Sequence, residues 1–120
     1  VIGYSEGVVK RGMSLDRFVE ITSTNAAKIM GLYPQKGVIT PGSDADITVI
    51  DPSINKRLGM GDLHLEDYSI WEGWDVSGWP TSTILRGKVM VENGNLLGSP
   101  TDGRFQKRMI ASQVINSPAC

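Results

Sequence analysis

With 120 residues, 40% of them hydrophobic and 21% charged, the chain can form one modest domain with a small core. A net charge of -1 supplies no field to attract nucleic acid or an anionic membrane. No apolar run reaches bilayer-spanning length, and "VIGYSEGVVKRG", broken by Glu6, Lys10 and Arg11, does not read as a secretory signal. A single cysteine, Cys120, offers no internal disulfide and fits a reducing cytoplasm. The first residue, Val1, fits a processed protein or a piece of a longer one.

In chain order, "YSEGVVKR" reads as the end of a helix stopped by Gly12. Ser14 is an N-cap for "LDRFVEIT", where Leu15, Phe18, Val19 and Thr22 at i, i+3, i+4, i+7 predict one buried face. "NAAKIM" follows as a short helix, with Ser23 or Thr24 as cap and Gly31 as stop. Beyond Pro34 the pattern changes to strands: "KGVIT", a "PGSD" turn, then "ADITVID", whose Ile47, Val49 and Ile50 predict a strand inside a sheet. Residues 52–75 read as irregular. "STILRG" and "KVMVENGNLLG" return to strands, and Asn93-Gly94 predicts a two-residue hairpin. From Ser99 the pattern fades. The expected class is α+β, with helices over 1–34, an antiparallel β unit over 35–98 and a tail over 99–120.

Three aspartates, Asp44, Asp46 and Asp51, crowd "PGSDADITVIDP". An EF-hand register from Asp44 fails, because its Gly and Glu positions hold Val49 and Asn55. Asp44-Ala45-Asp46-Ile47-Thr48 spells the DxDxT of phosphatases with an aspartate nucleophile, yet there a buried strand leads into the first acid, whereas here Pro41-Gly42-Ser43 does. A turn feeding a strand is the better reading. The lone His64 cannot build a zinc site of two or three imidazoles, and no G-x-S-x-G surrounds any serine. Trp71, Trp74 and Trp79 form either a ligand platform or, more in keeping with such clusters, packing or a subunit interface. The residues alone point to no catalytic, cofactor or metal site.

The stretch "TSTNAAKIMGLYPQKGVITPGSDADITVID" resembles the C-terminal part of a D-hydantoinase/dihydropyrimidinase, a cyclic-amide hydrolase of the amidohydrolase superfamily. "SLDRFVEITSTNAAKI", "GLYPQKG", "GSDADI", "DYSIWEG", "LRGKVMVENG" and "DGRFQKR" extend the resemblance from about Tyr4 to Arg108. It implies a parent with a (β/α)8 barrel, usually holding two zinc ions with a carboxylated lysine, and a β-sandwich assembled from both ends of the chain. None of the ligand motifs falls on this sequence. The resemblance therefore implies the barrel's final helices and half of the sandwich: a scaffold and oligomerisation part without its own metal site. Gly42, Asp44, Ala45, Asp46, Asn93 and Gly94 would be structural, and Trp71, Trp74, Trp79, Arg104 and Phe105 subunit contacts. The expected partner is a second copy, as a dimer or tetramer, or the missing N-terminal part. The alternatives are a stand-alone interaction module and a phosphatase-like enzyme using Asp44 and Asp46.

Overall fold

The computed structural model describes residues 1–63 and 67–116. His64 and Cys120 lie outside the described residues. Short helices precede one antiparallel sheet. The first, α1 (Tyr4–Val9), is wound at the wide pitch in which Lys10 N donates to Ser5 O at 3.0 Å. Gly12, at φ 69°, ends it as expected, and the N-cap expected at Ser14 is present: its Oγ accepts from Arg17 N at 3.2 Å. α2 (Leu15–Val19) continues through a wide turn, Glu20–Thr24, into α3 (Asn25–Ile29). This continuity corrects the separate cap at Ser23 or Thr24. Thr24 sits within helical backbone, and its hydroxyl donates instead to Gly37 O at 2.8 Å.

The sheet holds β1 (Ile47–Arg57), β2 (Asp75–Leu85), β3 (Lys88–Glu92) and β4 (Asn95–Leu96), in that spatial order. β1 is thus an outer strand, which corrects the interior position expected from its apolar middle. Val49 is 45% exposed. Nor is "KGVIT" a strand: Lys36 N donates to Leu32 O, so the segment closes a turn rather than a ladder. The stretch 52–75 proves more regular than expected, because β1 runs to Arg57, α4 (Met60–Leu63) follows, and β2 opens at Asp75. Pro80 lies within β2. It pairs with Ile50 where β1 shifts register between Val49 and Ile50, so its missing N–H falls at an irregularity.

The two tight hairpins have the same cause. Arg86 and Gly87 (φ 48° and 82°) join β2 to β3, and Asn93 and Gly94 (φ 48° and 81°) join β3 to β4, both within the left-handed region that the tight turn demands. The Asn93-Gly94 turn was expected; the Arg86 turn was not.

The helices meet the sheet at one seam. Ser5, fully buried, accepts from Ser77 N through its Oγ at 3.1 Å. Beside it Gly78 lets the Tyr4 ring lie on the backbone of β2, and Tyr4 meets Phe18 edge-to-face at 5.8 Å. Among the described residues the buried apolar side chains are Ala27, Leu58 and Val76. The face expected to be buried on α2 is largely open: Leu15 is 59% and Val19 51% exposed, with Phe18 half-buried. Accessible surface totals 8640 Å², where a compact monomer of 13.0 kDa shows about 6,300 Å². The chain leaves apolar faces uncovered.

Candidate functional site

The aspartates converge on a lysine. Ser43 Oγ donates to Pro34 O at 2.7 Å and Asp44 N to Gln35 O at 2.9 Å, which folds the Pro41–Asp46 turn back on residues 34–36. Gly42, at φ 94°, supplies the backbone that the turn needs. The Lys36 ammonium then lies between two carboxylates, at 2.8 Å from Asp44 and in direct contact with Asp46. Asp44 also accepts from Gln35 Nε2 at 3.1 Å and lies 3.7 Å from the Arg104 guanidinium. Asp46 accepts from the backbone N–H of Arg86 at 2.8 Å, tying the turn to the β2–β3 hairpin. The third acid, Asp51, stands apart. Its carboxylate takes the Oγ and N–H of Ser53 at 2.7 and 2.8 Å, a side-chain-closed turn.

These contacts set the charge states. The Lys36 hydrogen bond, with Gln35 and Arg104 adding to it, holds the Asp44 carboxyl below its ordinary value. Partial burial pulls the Lys36 ammonium down, but Asp44 and Asp46 outweigh it and raise it overall. Ser53 lowers Asp51. An ammonium occupies the place between Asp44 and Asp46 that a cation would need, and the remaining oxygens serve backbone and side-chain donors. The residues present therefore do not fit the metal centre that the resemblance implies for a parent. Among the described residues no group of three or more His, Cys, Asp or Glu could hold a metal ion. The DxDxT spelling meets the strand in the opposite sense to a phosphatase, since β1 begins at Ile47, after both acids.

The other residues singled out from sequence scatter. Trp71 and Trp74 pack edge-to-face at 4.9 Å beside the start of β2, with Trp74 40% exposed. Trp79 is separate from them, on β2, with the Lys56 ammonium 4.2 Å over its ring. An open groove of about 410 Å³ lies between Trp79, Lys56, Asp62 and Asn93, and Lys56 and Asp62 form an ion pair within it. Arg104 turns inward to Asp44, while Phe105 is 91% exposed. Two residues that organise these contacts went unremarked in the sequence. Lys36 lies ten positions before Asp46, and only the fold of the intervening turn brings them together. Asp102 had a readable signal, the capping box Ser99-Pro100-Thr101-Asp102. It accepts from Lys88 Nζ through both oxygens at 2.8 Å, which lowers its carboxyl.

Comparison with known proteins places this geometry. The D-hydantoinase of Ralstonia pickettii is 46% identical over 104 residues, which cover 86% of this chain and 23% of that protein. The D-hydantoinase of Rhizobium radiobacter is 43% identical over the same shares. Among solved structures, D-hydantoinase from Bacillus sp. AR9 superposes with a TM-score of 0.88 at 41% identity, covering 93% of this chain and 25% of that one. Dihydropyrimidinase from Brevibacillus agri NCHU1002 gives 0.87 at 43% identity, with 92% and 24% covered. The chain thus spans about a quarter of the length of the relatives it matches. The profile of the amidohydrolase family covers residues 3–90, and on that match this chain belongs to the amidohydrolase family.

Proposed function

We propose that the chain is the C-terminal scaffold and oligomerisation part of a metal-dependent hydrolase that opens cyclic amides, such as a hydantoin or dihydropyrimidine ring. One observation carries the reading: relatives about four times as long match this chain over nearly its whole length, while its helices leave Leu15, Val19 and Ile29 more than half exposed. Within that reading residues 1–34 close a barrel, 35–98 contribute to a sandwich, and 99–120 reach a neighbouring subunit. The metal ligands and the substrate loops belong to the remainder of the parent. Helix packing against that remainder would cover the bare apolar stripe. Of the residues assigned to subunit contact, Trp74, Arg104 and Phe105 are exposed, and Arg104 also pairs with Asp44.

The test is complementation. The chain is co-expressed with the preceding three-quarters of the Ralstonia pickettii D-hydantoinase, and hydantoin ring opening is followed with zinc present. Activity only when the two pieces are together, with co-purification, is the expected result. Ring opening by the chain alone, or failure to associate, overturns the reading. Deleting 103–120 from a full-length parent should lower its oligomer mass while leaving its bound zinc intact. Unchanged mass removes the tail from assembly.

A further inference from the structure

The tail after β4 does not trail away. Leu97 N and Gly98 N both donate to Met90 O, at 2.8 and 3.0 Å, turning the chain back beside β3. Asp102 then holds Lys88, takes Ser99 N at 2.7 Å, and offers its carbonyl to the Arg86 guanidinium. Two residues on, Arg104 faces Asp44, and Gln106 Oε1 accepts from Gln35 Nε2 at 3.2 Å. Finally Met109 N donates to Gly31 O at 2.9 Å. Gly31 is shaped for this seat: at φ 70°, a Cβ there would come within 2.7 Å of Ile110 N and 2.8 Å of Met109 O. Between the anchors the side chains alternate. Arg104 and Gln106 face the body, while Phe105 and Met109 are 91% and 87% exposed.

We infer that residues 99–110 form a strap across the Gly31 turn and the Asp44 turn, closed by the Asp44 and Asp102 carboxylates, which ionic strength opens locally before the sheet unfolds. The physical reason lies in the kind of anchor. Among the described residues past Gly98, the anchors without a charged partner are the backbone bond at Gly31, with Ile110 partly covered beside it, and the Gln35–Gln106 amide pair. The remaining anchors are ion pairs or charge-assisted hydrogen bonds, at the surface except for the part-buried bond from Arg86 to the Asp102 carbonyl. Arg104 and Lys88 are both more than half exposed, so dissolved ions reach them. The β1–β2 ladder, by contrast, is held by backbone bonds and the seam at Ser5 and Gly78, which salt leaves unchanged. Closed, the strap fixes Phe105 and Met109 outward on a set backbone; open, it frees them and uncovers Gly31 and Asp44. The inference stands on contacts within this chain and is independent of the role proposed for the parent.

Tryptic cleavage after Lys107 and Arg108 reports the open state, because cutting needs the backbone at Met109 to leave its seat. Rates in the full chain are normalised to a synthetic peptide of residues 99–116 at each salt concentration, with cleavage after Lys28 and after Arg57 on β1 as the body's internal reference. At 0.05 M NaCl the strap sites should be cut at least about tenfold more slowly than in the peptide. The ratio should rise about three- to tenfold by 0.5 M, while the body sites hold steady. Asp44→Asn with Asp102→Asn should raise the low-salt rate by a similar factor and flatten the salt response; Asp46 still holds Lys36 in that variant. Gly31→Ala should raise the rate at every salt concentration. Peptide-like cleavage of the wild type at low salt, an undiminished salt response in the double variant, or a parallel rise at the body sites overturns the inference.

Discussion

Gly78 is the position where a single methyl group tests the seam between helix and sheet. Its φ of 83° lies where an L-residue costs about 1–2 kcal/mol. A Cβ there would come within 2.5 Å of Tyr4 Cε1 and 2.6 Å of Cδ1, so the ring must move, and overpacking of this kind costs about 1–3 kcal/mol. Gly78→Ala should therefore destabilise the chain by about 2–5 kcal/mol, a large share of the 5–15 kcal/mol that holds a small domain together. The corresponding loss in Tm is about 8–20 °C. Moving the ring also disturbs its contact with Phe18 and the neighbouring Ser5–Ser77 hydrogen bond, so α1 should leave β2 first. Urea and thermal unfolding followed by circular dichroism measure the total. A Tyr4→Ala background then separates the two causes, because without the ring only the backbone cost of about 1–2 kcal/mol remains. A loss below about 0.5 kcal/mol, or an equal loss with and without Tyr4, would refute the argument.

The pH response follows from the carboxylates. Asp44, Asp51 and Asp102 all have folded values lowered from 3.8, so their contribution is complete above the ordinary carboxylate range and fades as pH falls through the folded values. Urea midpoints should accordingly be flat with respect to these groups near neutrality and drop below about pH 4; a drop beginning near pH 6 would contradict this assignment. Lys36→Met should move the Asp44 titration upward, as read by the Cγ shift in carbon NMR, and an unmoved midpoint would show that Lys36 is not its principal partner. Ser14→Ala removes the acceptor for Arg17 N and should cost about 1 kcal/mol in urea unfolding. Asn93→Ala, at φ 48°, should cost about 1–2 kcal/mol, while Asn93→Gly is close to neutral.

What the sequence disclosed and what it hid divide by range. Gly12, Ser14 and Asn93-Gly94 were legible because each acts within four residues: a left-handed stop, a hydroxyl on the first turn, a primed turn. Arg86 escaped because arginine has no preference for φ of 48°, and the hairpin imposes it. Pro80 fits inside β2 despite its missing N–H because the partner slips register opposite it, between Val49 and Ile50. The apolar middle of β1 suggested two flanking strands, yet the described sheet supplies one. Burial was misjudged on α2 for a similar reason, because its period marks a face for packing without saying what packs there. Of the aspartate cluster, Asp44 and Asp46 lie in the turn ahead of β1, whereas Asp51, expected at the strand's end, falls inside it. The turn's organiser, Lys36, was invisible until the chain folded back at Ser43.

The outer position of β1 has a consequence for concentrated solutions. A bare strand edge can template fibril growth, and segments of six or seven residues suffice to form the interlocked sheets of amyloid. β1 spans eleven residues, enough for such a segment. Its pairing, however, is broken between Val49 and Ile50 and again between Asp51 and Asn55, so its regular pieces are no longer than the three residues 47–49 and 55–57. At the second break Pro52 has no N–H to offer, and Asp51 has already claimed that of Ser53. A partner strand able to lie along this edge must carry a matching bend. Copies of β1 stacked straight upon one another cannot form a continuous ladder, which makes the edge selective for a shaped neighbour and a poor seed for fibrils.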